Sequence, residues 1–444
     1  MGSTSISREC EEQQQPRSPV HPRMLMSSRC YFYTFCFFVI SSFLLSFYVQ
    51  GTIFKKSTQP VKLTFVRDPI TALDSRILII SPYYDPRPSP SVRVLAIIHE
   101  SVKEIYCLFN CLLNRTISVR ASIDLHSDRF GFPYGTADLL CKEPSECNYR
   151  YISFQSPNST VTTERLLFEV KNHPLPSISS NFTVCISSIY GGYNNVLQMV
   201  QSIEMYKILG VSRVTIYNTS CSQNIDKVLH YYIDEGTLEV VPWPINQYLN
   251  TSKEWRYSEG LTSQVGYYGQ TAALNDCLYR NMYKSKFVLL HDIDEIILPV
   301  QDEDWFSLME HLQRLHPDTS VFCFEDHVFT TSASASGFDL WPDIPGVNIL
   351  LHPFREPINW NEFINRKMIV NPRQIFQTSI HSALKHTGTT KNITQNIGIS
   401  FHCRSQERKN ITTDQLIRDD ILRMYNVSLV PKINGVIRKL FTHS

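Results

Sequence analysis

Between residues 183 and 294 the chain alternates strand-like and helix-like stretches, and that rhythm leaves few folds open to it. TVCISSIY (183–190) reads as a strand and runs into the glycine pair of YGGYNN. Val196, Met199, Val200, Ile203 and Tyr206 then recur at helical spacing, with a stop at Gly210. VSRVTIYN (211–218) is a second strand, IDKVLHYYIDEG a helix ended by Gly236, and TLEVVPW (237–243) a third strand. YGQTAALNDCLYRNMYKS is helical, and KFVLLHDID closes the series as a buried strand. Strands joined by helices lie parallel, with the helices on the faces of the sheet. Ligands of such sheets sit at the carboxyl ends of the strands.

FVLLHDIDEIILP (287–299) places three acids, Asp292, Asp294 and Glu295, at such an end. Asp292 and Asp294, two apart on an extended chain, face one way while Ile293 turns to the core. Neighbouring carboxylates repel unless a positive charge lies between them. A hard divalent cation does this through oxygen ligands and keeps positions open for substrate phosphates. The plain alternative is a solvated turn whose aspartates cap the next segment. A phosphatase of the haloacid dehalogenase type also carries D-x-D after an apolar strand. There a small hydroxylic or apolar residue follows the second Asp and the motif opens the domain; here Glu295 follows, after several strands.

The rest of the chain indicates a compartment. Residues 31–49, YFYTFCFFVISSFLLSFYV, carry no charge, and as a helix would span roughly 28 Å, about a bilayer core. A cleaved signal peptide is the alternative, but some thirty residues precede the run and no small-residue cleavage site follows. Sequons at Asn114, Asn158, Asn181, Asn218, Asn250, Asn392, Asn410 and Asn426 all lie after the run. They put the bulk of the chain in a lumen and residues 1–30 in the cytosol. Residues 50–75 suit a stem. From 76 to 178 short runs such as RILII, VRVLAII and ISVRASI, punctuated by Pro, Gly and Asn, read as a small β-rich domain.

Nine of the twelve cysteines follow the anchor. Disulfides are the expected state of Cys107, Cys111, Cys141 and Cys147 in an oxidising lumen, with three pairings open and zinc ligation as the rival. The odd total leaves a thiol free or joined to a second chain, so a disulfide-linked or non-covalent dimer stays open. Lys+Arg at 42 nearly cancels Asp+Glu at 41, which gives no basic excess for nucleic acid.

The order CISSIYGG, IEMYKILGV, VTIYN, VLHYYIDEGTLEVVPW, GQTAALNDCLYR and FVLLHDIDEIILP resembles glycosyltransferase family 92. RKMIVNP (366–372), the His381 region and SFHCR (400–404) continue the likeness, which covers roughly residues 76–430. It implies a GT-A-like fold over 179–444, a mostly parallel sheet flanked by helices, preceded by the β-rich domain and a transmembrane helix. It also implies an inverting transferase of the Golgi membrane that moves galactose from UDP-galactose to a glycan, with Mn²⁺ as cofactor. His291 before D-I-D and SFHCR in place of H-Y-R depart from the family pattern and leave acceptor choice open.

Within that frame Asp292, Asp294 and His402 are the expected metal ligands, and Arg404 a contact for the diphosphate. Gly191 offers a backbone close to a nucleotide, or an ordinary turn. Asp276 is the expected donor contact in the helix before the D-x-D, with an internal helix hydrogen bond as its alternative. Inversion requires a carboxylate base, for which Glu325 and Asp326 stand at the end of SVFCFED and Glu356 is a rival. Trp255, Trp341 and Trp360 are candidate sugar-stacking faces. A non-catalytic glycan-binding ectodomain on the same scaffold is the other function class; for it the D-x-D would be dispensable.

Overall fold

The computed structural model describes Tyr33, Phe35, residues 37–45 and residues 62–441, apart from 113–114, 158–163, 360–363, 406–407 and 409–410. The described residues of the expected span 31–49 are helical; its other residues lie outside the description. Among the described residues no helix is long and apolar enough to cross a membrane. Residues 62–444 form one compact unit, separate from residues 1–61.

The first hundred residues of this unit build two five-stranded sheets. Strands Thr71–Asp74, Ile77–Asp85, Ser91–His99, Tyr134–Lys142 and Ser122–Leu125 make one, and Lys62–Phe65, Glu164–Glu169, Tyr149–Gln155, Tyr106–Cys111 and Arg115–Arg120 the other. Ile77, Ile79, Val92 and Val94 pack against Phe109, Ile152 and Phe168 between them. The alternate residues Leu78, Ile80, Leu95 and Ile97 join a second core with Leu278, Val288, Leu290 and Met368. The central strands are thus buried on both faces, which is why RILII and VRVLAII read as unbroken apolar runs. Cys107–Cys141 ties the two sheets together, and Cys111–Cys147 is the second bridge of this region.

Beyond residue 179 lies a mixed sheet of eleven strands. Leu238–Pro242, Arg213–Asn218, Ser180–Ile189 and Ser285–His291 are parallel, in that spatial order. Arg366–Val370 then runs antiparallel to both Ser285–His291 and Thr319–Thr330. The sheet is therefore less parallel than its sequence rhythm predicts. Each parallel neighbour is reached through an α-helical crossover, whereas among the described residues between Thr330 and Arg366 the one helix is a single 3₁₀ turn, Ile349–Leu351, too short to return the chain parallel.

The helices follow their apolar spacing. Val196–Ile208 buries Val196, Met199, Val200, Ile203 and Tyr206 and packs against the last helix, Asn426–Phe441. Helix Gln223–Glu235 starts at Ser222, whose side chain accepts from Ile225 N–H, and ends at Gly236 with φ +86°. The Ser180–Ile189 strand has Arg213–Asn218 on one side and Ser285–His291 on the other. The winding direction changes at this point, and a crevice opens beyond the carboxyl ends of the two strands.

Candidate active site

A cavity of about 490 Å³ fills that crevice. Ser187, Tyr190 and Tyr193 line it from the end of the first strand, Asp292 and Asp294 from the D-x-D turn, and His402 and Arg404 from the strand Gly398–Arg404. That strand pairs antiparallel with Glu295–Pro299, which sets Glu295 directly opposite His402. His402 and Arg404, two apart, lie on one side of it.

The turn is held rigidly from behind. Ser202 and Tyr206, one turn apart on helix Val196–Ile208, donate to the carbonyls of Ile293 at 2.8 Å and Glu295 at 2.7 Å. The carbonyl between them, of Asp294, accepts from Cys403 N–H at 3.0 Å. All three carbonyls of the turn are satisfied, so the carboxylates sit on a fixed frame.

Both oxygens of Asp292 are hydrogen-bonded. Its Oδ1 accepts from Gln270 Nε2 at 2.9 Å and Ser187 Oγ at 3.2 Å, and its Oδ2 meets Lys367 Nζ at 2.8 Å. The same ammonium meets Glu295 Oε2 at 2.8 Å. Burial alone would raise the Asp292 carboxyl; Lys367 brings it down to about 2. Glu295, deeper, is raised by burial against the opposing pull of Lys367 and His402. Those carboxylates in turn hold the lysine well above its ordinary value against the cost of burial.

His402 bridges the other acids. With Nδ1 assigned inward, that atom meets Asp326 Oδ2 at 2.9 Å and Glu295 Oε1 at 3.3 Å, while Nε2 faces Asp294 Oδ2 at 3.4 Å. Glu295, Asp326 and His402 are close enough together to hold a metal ion. Their arrangement favours a different division. Glu295 and Asp326 do not line the cavity; they orient the imidazole through Nδ1, as carboxylates do behind metal-ligating histidines. Nε2 and Asp294 face the cavity and form a nitrogen–oxygen donor pair open to a divalent cation.

The sequence-derived residues are thus partly reunited. Asp292, Asp294, His402 and Arg404 share the cavity wall. Gly191, with φ +67°, belongs to the turn after the first strand, and the flanking Tyr190 and Tyr193 are the wall. Asp276, expected at the donor, lies elsewhere: it is buried and accepts from Tyr217 at 2.6 Å, Tyr83 at 2.7 Å and Arg280 at 3.0 Å. Six residues earlier, and so on a different face, lies the residue that does reach the site, Gln270, at the first turn of helix Gln270–Asn281. Asp326 joins the cluster through His402, whereas Glu325 on the opposite side of the strand is registered against Arg366. Neither lines the cavity; Asp326 and Glu356 border a separate hollow of about 160 Å³. Trp255 is half-exposed, Trp341 donates to Asn434 at 2.8 Å, and Trp360 lies outside the described residues.

Lys367 escaped the sequence reading. Its signal is a charged residue inside RKMIV, a strand whose following residues are all apolar, because a buried charge demands a partner.

The sequence profile of glycosyltransferase family 92 matches residues 180–432. A Caenorhabditis elegans protein described as a glycosyltransferase family 92 protein is 26% identical over 212 residues, 48% of this chain and 39% of its own length. The beta-1,4-galactosyltransferase galt-1 of the same organism is 22% identical over 262 residues, 56% of this chain and 57% of its own length. The chain therefore aligns with between two- and three-fifths of these relatives. S. aureus TarS, crystallised with UDP, aligns with 59% of this chain and 66% of its own at 11% identity; at a TM-score of 0.29 the likeness carries no argument.

Proposed function

The chain belongs to glycosyltransferase family 92, and from that membership we propose that it transfers a hexose, galactose, from UDP-galactose to a glycan acceptor with inversion. The carrying observation is the cavity at the switch point of the sheet, where Asp294 and His402 Nε2 meet beside Arg404. A GT-A-like fold is part of the same reading, supported by the parallel half of the sheet and the D-x-D at the end of its fourth strand.

Each wall has a task in this reading. Tyr190 and Tyr193 offer aromatic faces to the nucleobase. The first turn of helix Val196–Ile208 brings Asn195 and Gln198 to the cavity, and a helix N-terminus favours phosphate. Arg404 supplies a planar fork for the diphosphate. Asp294 and His402 hold a divalent cation, Mn²⁺, whose charge when bound offsets that of the departing nucleotide. Acceptor deprotonation is assigned to neither Glu325 nor Asp326, since neither reaches the cavity. The site works in the Golgi lumen behind the anchor at 31–49, a placement supported by the sequons and the three disulfides.

Calorimetry of the full-length protein with UDP-galactose, in Mn²⁺ and then in EDTA, tests this. Metal-dependent binding is the expected result. Absence of binding to UDP-galactose, UDP-glucose and UDP-N-acetylhexosamines alike would favour a non-catalytic glycan-binding role.

A further inference from the structure

We propose that Lys367 is a resident counter-cation: its ammonium fills the place of a second metal ion between Asp292 and Glu295, removes both from the ligand set, and leaves a single divalent ion to Asp294 and His402. The inference rests on the cation-dependent reading of the site above.

The geometry is that of a liganded ion. Nζ stands 2.8 Å from Asp292 Oδ2 and 2.8 Å from Glu295 Oε2, and the lysine is 1% exposed. Its backbone lies inside the sheet, hydrogen-bonded on both edges, with Met368 opposite Leu290 and Lys367 opposite Phe324. The charge therefore cannot leave as a metal ion can. Gln270 and Ser187 fill both acceptor positions of Asp292 Oδ1 and Lys367 takes one of the two on Oδ2, so little of this carboxylate is left for a metal ion. The D-x-D is divided accordingly. Its first carboxylate is an internal anchor tying the first strand, the helix Gln270–Asn281 and the strand Arg366–Val370 to the turn; its second is the ligand. The acids of the cluster would repel one another, and the covalently held ammonium keeps Asp292 and Glu295 together, as His402 does Asp294 and Asp326, before donor or metal arrives. Lys367 is in this sense a positioning residue.

The test is Mn²⁺ titration of the full-length protein with UDP present, read as ions per chain and affinity. The unsubstituted protein takes one ion. Lys367→Met frees two carboxylates that had shared one cation and takes two. The charge-balanced pair Asp292→Asn with Lys367→Met takes one, with affinity within about tenfold of the unsubstituted protein, the lower range of changes around metal ligands. Asp294→Asn, the control, loses more than about a hundredfold. A purely structural lysine would change stability in these variants without changing ion number. Should Lys367→Met fail to fold, the charge-balanced pair decides. Loss in that pair as deep as in Asp294→Asn makes Asp292 a ligand and overturns the assignment alone, as does a folded Lys367→Met that still takes one ion. No ion bound by the unsubstituted protein overturns the cation reading together with it.

Discussion

His291 shows how burial can turn one residue type into another. It stands where the family pattern often has an apolar or aromatic side chain, and here it lies 1% exposed beside Tyr206 and Trp305. Burial, helped by Lys367, pushes its imidazolium down to about 3, so it packs as a neutral ring at physiological pH. Asp294 is the opposite case, a carboxylate bordering the cavity whose removal leaves no buried charge unpaired. Asp294→Asn is therefore expected to abolish sugar transfer while the melting temperature moves by only a few degrees; retained Mn²⁺-dependent transfer would sink the site assignment. Asp276 acts on stability instead. Burial would raise it, but Arg280, Lys171 and the two tyrosine hydroxyls bring it down to about 2. A folded-state value below the ordinary 3.8 stabilises the fold above about pH 4, by about 2 kcal/mol, and that contribution fades as pH falls towards 2. Urea unfolding should show Asp276→Asn less stable at pH 7, with the gap to the parent narrowing by pH 3.

At the scale of elements, the D-x-D turn is set by the helix behind it rather than by its own sequence. Tyr206→Phe leaves the ring in place and removes only the bond to the Glu295 carbonyl, at a cost of about 1 kcal/mol. The expected signature is a disproportionate fall in donor affinity, since the carboxylates lose their frame. Cys185–Cys277 joins the first strand to helix Gln270–Asn281, the two elements that deliver Ser187 and Gln270 to Asp292. Replacing both cysteines by alanine is expected to cost about 2–4 kcal/mol, read by chemical denaturation.

For the molecule as a whole, the β-rich region is not a detachable appendage. One of its sheets covers the helix Gln270–Asn281 and contributes Leu78, Ile80, Leu95 and Ile97 to the core beneath the larger sheet. Residues 179–444 expressed alone would expose that surface and are expected to aggregate, whereas 62–444 should purify as a monodisperse species on gel filtration. Soluble, cooperatively melting 179–444 would contradict this. Of the sequon asparagines, Asn181, Asn250 and Asn392 are exposed, whereas Asn218 is half-buried.

What the sequence determined by itself is what local physics carries. The helices are legible because apolar side chains recur with the helical turn and because Gly236 suits the end of one of them, whereas its start at Ser222 came from the structure. The D-x-D at a strand end is legible because a run of apolar residues ending in acids has one economical placement. The partners of those acids are not local: Lys367 reaches Asp292 from 75 residues away, His402 reaches Asp326 from 76, and Gln270 reaches Asp292 from 22. Only the packed sheet brings them within hydrogen-bond distance. The same holds for Asp276, whose helix lies beside the site as the sequence suggests but whose position on that helix faces Tyr83 and Tyr217 in the interior. Periodicity describes one segment at a time, and charge pairing in a buried cluster depends on strands that meet only in the folded chain.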